Sequence, residues 1–172
     1  MAQSVLDQSI LDEVENYDNL IILKTCSKAI GLAGIRMGFA VAGETITTAL
    51  RSVKSPYNTD SISQAICKTV LSEKELLKKC CEELVESRKA LHDEVSALAR
   101  KYVKLEKVYD SVTNFVFIKT AYGKEIYEKL LEKSIAIRYM GNYIRITAGT
   151  KEENEAVVKA LDEILDNMTK GE

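Results

Sequence analysis

The spacing of apolar and polar residues differs between the beginning, the middle and the end of the chain. Near the beginning, residues 20–23 form a short apolar run between polar residues, which predicts a strand buried on both faces. A loop rich in small residues, 24–36, leads into a second predicted strand at 37–43. Because small residues let the backbone approach a ligand closely, this strand–loop–strand segment is a candidate binding site.

From about residue 44 the pattern predicts helices. Residues 44–55 form a short predicted helix that ends before Pro56, since proline disfavours helical conformation in the residue preceding it. Possible capping boxes open the next two helices, at Ser61 with Gln64 and at Ser72 with Glu75. The second of these helices is long, and its apolar stripe is formed by Leu77, Cys80, Leu84, Leu91, Val95 and Leu98.

The last third of the chain mixes both patterns. It predicts a strand, a helix, two strands and a final helix, at 113–119, 122–134, 135–140, 143–148 and from Thr150 onward. A third capping box, Thr150 with Glu153, opens the final helix, whose apolar face carries Val157, Leu161, Ile164 and Met168. In the last strand, alternation directs Ile144 and Ile146 to the core and Arg145 to the other face. These elements predict a small α+β domain.

Composition narrows the function classes. The chain has 172 residues, 46% hydrophobic and 29% charged, with a net charge of -2, which disfavours a nucleic-acid-binding surface. The four cysteines lack zinc or disulfide-framework spacing and predict reduced thiols, while the single histidine, His92, is predicted to be solvated. The acidic N-terminal segment does not resemble a signal peptide, and no run reaches about 20 apolar residues. We therefore expect a cytoplasmic protein without a membrane, nucleic-acid or metal partner.

Lys28 is the first candidate for chemistry, because it lies in the small-residue loop after the first predicted strand. A lysine that is desolvated in such a loop offers an amine for Schiff-base chemistry. Arg36 is a permanently charged fork suited to a phosphate dianion, and Thr25 and Ser27 add hydroxyl donors. Together they fit a phosphorylated carbonyl cofactor. The spacing alone also fits a solvated lysine at a strand end, which is the commoner case.

Residues 19–42, NLIILKTCSKAIGLAGIRMGFAVA, resemble the cofactor-lysine region of fold-type-I aminotransferases, and most of all that of histidinol-phosphate aminotransferases. In this family a strand runs into Thr or Ser, then Ser-Lys-Ala, a Gly-Leu-Ala-Gly-like stretch and an arginine. The resemblance implies that the cofactor is pyridoxal 5'-phosphate and that Lys28 carries it. It also implies that Thr25, Ser27 and Arg36 contact the cofactor phosphate.

Two later segments resemble the same family. Residues 55–64 are similar to a Pro-Tyr-Asn segment that lies near the partner's active site in the family's dimers, which implies substrate contact by Asn58. Residues 142–154 are similar to a block whose arginine binds the α-carboxylate of the amino-acid substrate, which implies this role for Arg145. The residues alone also fit an exposed arginine on a half-buried strand.

The resemblance covers nearly the whole chain and implies an α/β fold, the C-terminal part of a fold-type-I aminotransferase. Residues 1–65 are expected to be the remnant of the large domain and its sheet, and residues 66–172 the long linking helix and the small α+β domain. Family members are much longer, and the half expected to be missing supplies a phosphate-binding turn and an aspartate for the cofactor's ring nitrogen. We therefore expect exposed strand faces, and either a homodimer or association with a complementary N-terminal half.

The implied function is an aminotransferase of histidine biosynthesis that moves an amino group between glutamate and a phosphorylated amine or keto substrate. Two alternatives stay open. Threonine-phosphate decarboxylases of cobalamin synthesis have similar motifs, and the chain could be a non-catalytic pseudoenzyme or interaction domain. The missing aspartate favours a non-catalytic chain, whereas the intact Lys28, Arg36 and Arg145 favour an enzyme.

Overall fold

The computed structural model describes residues 10–170, which divide into two compact units. The first unit ends at Cys81 and the second begins at Glu82, so the division falls inside the long helix α3, Lys74–Lys101. The expected domain boundary after residue 65 stays a prediction. Within residues 10–170, no helix is both long and apolar enough to cross a membrane.

The first unit is built around a two-stranded antiparallel sheet. Its elements are a 3-10 turn (Leu11–Asn16), β1 (Ile21–Thr25), a second 3-10 turn (Ala33–Ile35), β2 (Gly38–Ala42), α1 (Glu44–Val53) and α2 (Ser61–Ser72). Thr25 pairs with Gly38, so β1 and β2 are joined by the loop 26–37. A Cβ atom at Gly38 would lie 2.9 Å from the Lys24 carbonyl oxygen, which explains the glycine at this close strand contact.

The prediction that residues 20–23 are buried on both faces is wrong for this structure. Leu23 is 77% exposed on one face of the small sheet, together with Ile21, and Phe39 is exposed on the other face. A sheet of two strands has too little width to bury both of its faces. The first unit therefore presents apolar surface on both sides of its sheet.

Two of the three predicted capping boxes are also wrong. Helix α2 begins at Ser61, but its N-cap is Asp60, whose carboxylate accepts hydrogen bonds from the Ser63 backbone N–H at 2.8 Å and from the Ser63 hydroxyl at 2.7 Å. Ser72 lies in the last turn of α2, where its hydroxyl donates to the Lys68 carbonyl at 2.8 Å. Aspartate is a better N-cap acceptor than an interior serine, and it lies one residue earlier.

The second unit is a four-stranded antiparallel sheet packed on helices. After the remainder of α3 come β3 (Lys107–Tyr109), β4 (Phe115–Lys119), α4 (Gly123–Glu132), β5 (Arg138–Tyr139), β6 (Tyr143–Thr147) and α5 (Lys151–Lys170). The strand order is β3-β4-β6-β5. One core cluster joins the helices to one sheet face and includes Leu91, Val95, Leu98, Val116, Ile118, Ile144, Ile146, Leu161 and Ile164.

The predicted patterns of this unit are confirmed. Ile144 and Ile146 are buried while Tyr143 and Arg145 are not, as strand alternation requires. Val157, Leu161, Ile164 and Met168 all lie in the core. At the start of α5, the Thr150 N–H donates to the Glu153 carboxylate at 2.7 Å and the Glu153 N–H to the Thr150 hydroxyl at 3.3 Å, which is the predicted capping box.

Candidate active site

The loop 26–37 presents a pair of hydroxyl groups at its beginning. Thr25 Oγ1 and Ser27 Oγ lie 2.6 Å apart, and the Ser27 backbone N–H donates to Thr25 Oγ1 at 3.2 Å. Cys26 lies between them and is buried, and its backbone bonds to Met37 and Leu32 at 3.2 and 2.8 Å fix the loop at its base. The two hydroxyl groups are thereby held on adjacent positions of a fixed loop, where they can donate to an anion.

Lys28 follows this hydroxyl pair, at the start of a tight turn closed by a hydrogen bond from the Gly31 N–H to the Lys28 carbonyl at 2.9 Å. Gly31 has a φ of 73°, a conformation that favours glycine. The Lys28 side chain is exposed. The sequence-based expectation of a desolvated amine is therefore not met in this unit, and the amine is open to a ligand at the loop surface.

Arg36 ends the same loop in an unusual conformation. Its φ is 54° and its ψ is 37°, the left-handed region that a residue with a Cβ atom seldom adopts. Its guanidinium is exposed and donates to the Ala33 carbonyl at 3.3 Å. Such strain costs about 1–3 kcal/mol and is found most often at binding and catalytic sites. The remaining donors of the fork are available to an anion.

Asn58 lies in the connection between α1 and α2 and is exposed. Its side-chain oxygen accepts a hydrogen bond from Lys54 Nζ at 3.1 Å. The neighbouring Tyr57 is 92% exposed. Both side chains thus project from the first unit, and the predicted substrate contact of Asn58 stays a prediction.

Arg145 occupies the outer face of the four-stranded sheet in the second unit. It lines a shallow cavity of about 560 Å³ whose other walls include Tyr109, Phe115, Phe117, Met140 and Tyr143. The guanidinium carbon lies 4.8 Å from the centre of the Phe115 ring. Arg145 Nε is buried and has no hydrogen-bond partner among residues 10–170. A buried donor without a partner fits a site that receives an anionic ligand such as a carboxylate.

Arg138 is a residue of this site that the sequence did not identify. It is exposed on β5 and pairs directly with Arg145 on β6, so both side chains are on the same face of the sheet. Like charges placed opposite one another repel, and an anion between them relieves this repulsion. Two arginines in adjacent predicted strands were a signal, but the strand register that pairs them is not visible in the sequence.

The environment of His92 differs from the one that the sequence predicts. The His92 side chain is only 20% exposed, so the prediction that it is solvated is wrong, and its Nε2 lies 3.8 Å from the Asp110 carboxylate.

Cys26 and Cys67 are both buried, with their sulfurs 3.8 Å apart. Burial is the main factor that raises the pKa of the Cys26 thiol. The contact between the two sulfurs packs α2 against the loop 26–37.

Comparison with known proteins gives a consistent family assignment. A model of the aminotransferase class I and II family matches residues 1–161. Histidinol-phosphate aminotransferase from Clostridium kluyveri is 38% identical over 164 residues, which cover 92% of this chain and 45% of that enzyme. The chain therefore spans less than half the length of this relative.

Solved structures share the fold. Histidinol-phosphate aminotransferase from Sinorhizobium meliloti, in complex with pyridoxal-5'-phosphate, has a TM-score of 0.79 at 23% identity, over 92% of this chain and 44% of that one. L-threonine-O-3-phosphate decarboxylase from Porphyromonas gingivalis has a TM-score of 0.70 at 22% identity, over 91% of this chain and 50% of that one. The predicted fold class is thereby confirmed.

Proposed function

Since the chain belongs to the family of class I and II aminotransferases, we propose that it provides the cofactor-lysine part of a pyridoxal-phosphate-dependent aminotransferase, most like histidinol-phosphate aminotransferase. The observation that carries this proposal is the loop 26–37. Together with Thr25 at the end of β1, it combines one exposed lysine, two hydroxyl groups whose oxygens lie 2.6 Å apart and an arginine in a strained conformation. This set of donors fits an aldehyde cofactor with a phosphate group.

Thr25, Ser27 and Arg36 bind the cofactor phosphate in this proposal. Hydroxyl donors and a guanidinium fork are the groups that satisfy a phosphate dianion. The hydrogen bonds of the Cys26 backbone support a fixed position for both hydroxyls. A fixed loop lowers the entropy that is lost when the phosphate is bound.

Lys28 Nζ holds the cofactor covalently and later acts as the acid and base. Pyridoxal phosphate, when bound, supplies an aldehyde that takes up amino groups and a ring that withdraws electrons from the bonds at the substrate's Cα. Lys28 Nζ would hold the cofactor and, as a free amine, would take and return the proton at the substrate's Cα. The exposed Lys28 side chain leaves Nζ accessible to the cofactor.

Arg145 binds the α-carboxylate of the substrate. Its unpaired Nε and the adjacent Arg138 support an anion subsite on the outer sheet face. The aromatic side chains around it exclude water from part of that subsite, which strengthens a charge-assisted hydrogen bond. We propose glutamate as the amino donor and a phosphorylated keto compound as the acceptor, with Asn58 contributing to a neighbouring subunit's site.

A spectroscopic titration tests the proposal. The full chain is mixed with pyridoxal phosphate, and the near-visible absorbance band of a lysine-bound cofactor is followed in wild type, Lys28→Ala and Lys24→Ala. Lys24 is four positions earlier on β1 and serves as the matched control. We expect the band in wild type and in Lys24→Ala and its loss in Lys28→Ala. An unchanged band in Lys28→Ala would disprove the assignment.

Addition of substrates separates the remaining alternatives. Transamination predicts keto-acid formation from glutamate, whereas threonine-phosphate decarboxylation predicts release of carbon dioxide from that substrate. A non-catalytic chain predicts the lysine-bound band without either product. The exposure of Lys28 favours this last outcome for the chain alone, because a catalytic lysine is usually enclosed.

The exposed sheet of the first unit supports a proposal about partners. Ile21, Leu23 and Phe39 are large apolar residues on its two faces, and such surface is typical of interfaces. We propose that the chain forms a homodimer or associates with a complementary N-terminal half. In either assembly the partner covers β1 and β2.

A further inference from the structure

The guanidinium of Arg145 rests on an aromatic ring that is not its direct cross-strand neighbour. The strand register pairs Arg145 with Phe117, but the ring of Phe117 stacks on Tyr143, with 5.1 Å between centres and 6° between planes. Phe115, one diagonal position away, is the ring over which the Arg145 guanidinium lies, at 4.8 Å. The two phenylalanines of β4 therefore have different partners on the same sheet face.

This contact matters because little else holds the arginine. Its Nε is buried without a hydrogen-bond partner within the described part of the chain. A long arginine side chain without fixed partners samples many rotamers, and this freedom is lost when it grips a carboxylate. A ring face attracts the cation while it leaves the N–H donors of the fork unpaired. The ring thus restricts the arginine and keeps its donors available.

We propose that Phe115 is a positioning residue for Arg145, which orders the guanidinium for recognition of the substrate carboxylate. This inference rests on the proposed role of Arg145 in carboxylate binding. Phe115 acts through the arginine and does not itself donate a hydrogen bond to the ligand. Phe117 belongs to the aromatic cluster of Tyr109, Phe117 and Tyr143 and lines the same cavity, but the guanidinium lies over Phe115.

The test measures the Kd of glutarate, an unreactive dicarboxylate, by calorimetry on the full chain. Phe115→Leu removes the ring and keeps an apolar side chain of similar length, and Phe115→Tyr keeps the ring. Tyr122→Leu is the matched control, since it removes a ring that lies 4.6 Å from Lys104 Nζ and outside this cavity. We expect Phe115→Leu to raise the Kd about two- to fivefold. Phe115→Tyr and Tyr122→Leu should leave it near the wild-type value.

A double-mutant cycle distinguishes positioning from a general structural role. If Phe115 acts through Arg145, then Phe115→Leu has no further effect on the Kd in an Arg145→Ala background. An equal effect with and without the arginine overturns the proposal, as does an unchanged Kd in Phe115→Leu or an equal rise in Tyr122→Leu. Should the leucine variant fail to fold, Phe115→Met replaces it in the same cycle.

The outcome for wild type separates this inference from the proposed function. If wild type binds glutarate and Arg145→Ala binds it measurably more weakly, the role of Arg145 stands and the variants of Phe115 alone decide the inference. If wild type does not bind glutarate, the carboxylate role of Arg145 fails, and the inference about Phe115 is overturned with it.

Discussion

Arg36 combines a backbone conformation that is unfavourable for its side chain with a position at the end of the candidate cofactor loop. With φ at 54°, the backbone suits glycine better than any residue with a Cβ atom. An arginine here is understandable if the position of its guanidinium matters more than local stability. The strained backbone lowers the stability of the loop, and it holds the positive charge of Arg36 at a defined position.

Replacement of Arg36 by glycine tests this exchange. We expect Arg36→Gly to raise the free energy of unfolding by up to about 1 kcal/mol, because the strain is relieved, and to weaken the binding of pyridoxal phosphate. Binding of pyridoxal, which lacks the phosphate, should change little. Denaturant unfolding and the two ligand titrations measure these effects. Equal weakening for both ligands contradicts a phosphate role for Arg36.

The sequence predicted the contact of Thr150 with Glu153 correctly, but it did not identify the roles of Asp60 and Arg138. Thr150 and Glu153 cap each other across three residues, so their sequence spacing already defines the contact. Asp60 was missed because four polar residues in a row, from Asn58 to Ser61, are all candidates for the N-cap of one helix. Arg138 was missed because its approach to Arg145 depends on the register of β5 and β6, which the whole sheet determines.

At the scale of elements, the apolar stripe of helix α3 is half-buried near the start of the helix and buried near its end. Its predicted apolar stripe is confirmed in the second unit, where Leu91, Val95 and Leu98 are buried. Leu77, Cys80 and Leu84, nearer the start of the helix, are only half-buried. Heptad spacing predicts which face of a helix is apolar, but the depth of burial depends on which elements pack against it.

Truncation of leucines along α3 tests this gradient. Leu91 is fully buried, so Leu91→Ala should lower the free energy of unfolding by about 2–5 kcal/mol. Leu76, on the same helix, is 58% exposed, and Leu76→Ala should change it by no more than about 0.5 kcal/mol. Urea unfolding of the two variants gives both values. Similar losses would contradict the burial pattern of α3.

The end of α3 is tied to α5 through Asp162. Its carboxylate accepts hydrogen bonds from Lys101 Nζ at 2.8 Å and from the Tyr102 hydroxyl at 2.6 Å. The bond from Lys101 is the main cause that lowers the pKa of Asp162, and the bond from Tyr102 adds to it. Because the folded pKa lies below the unfolded value, this contribution to stability is present at neutral pH and is lost as the pH falls through the folded pKa.

The pH dependence of Asp162→Asn follows from this sign. We expect the variant to melt several degrees below wild type at pH 7. The difference should shrink as the pH falls below about 4, where the unfolded chain takes up the Asp162 proton, and should be lost below the lowered pKa of the folded carboxylate. Asp166→Asn, which removes an exposed pair with Lys170 on the same helix, is the control and should shift the midpoint much less. A difference that stays constant with pH contradicts a charged Asp162.

At the scale of the whole molecule, the two units differ in how well they bury their apolar residues. The second unit has a continuous core between helices and one sheet face. The first exposes Leu23, Ile21 and Phe39 on a sheet of two strands. The family resemblance predicted both the motif and exposed strand faces, and within residues 10–170 β1 and β2 form a sheet of two strands only.

This difference predicts association through the first unit. Sedimentation velocity should show species larger than a monomer for wild type, and Leu23→Lys should shift them toward the monomer, because a charge at the centre of an interface is costly. Val103, which is 94% exposed in the second unit, provides the control Val103→Lys, for which we expect no change. A monomeric wild type contradicts the homodimer.

The central claim is that Lys28 carries the cofactor, and chemical trapping tests it most directly. The chain is incubated with pyridoxal phosphate and reduced with borohydride, and its peptides are mapped by mass spectrometry. We predict that the pyridoxyl phosphate mass is found on the peptide that contains Lys28. A label spread over several exposed lysines, or none at all, would contradict the claim.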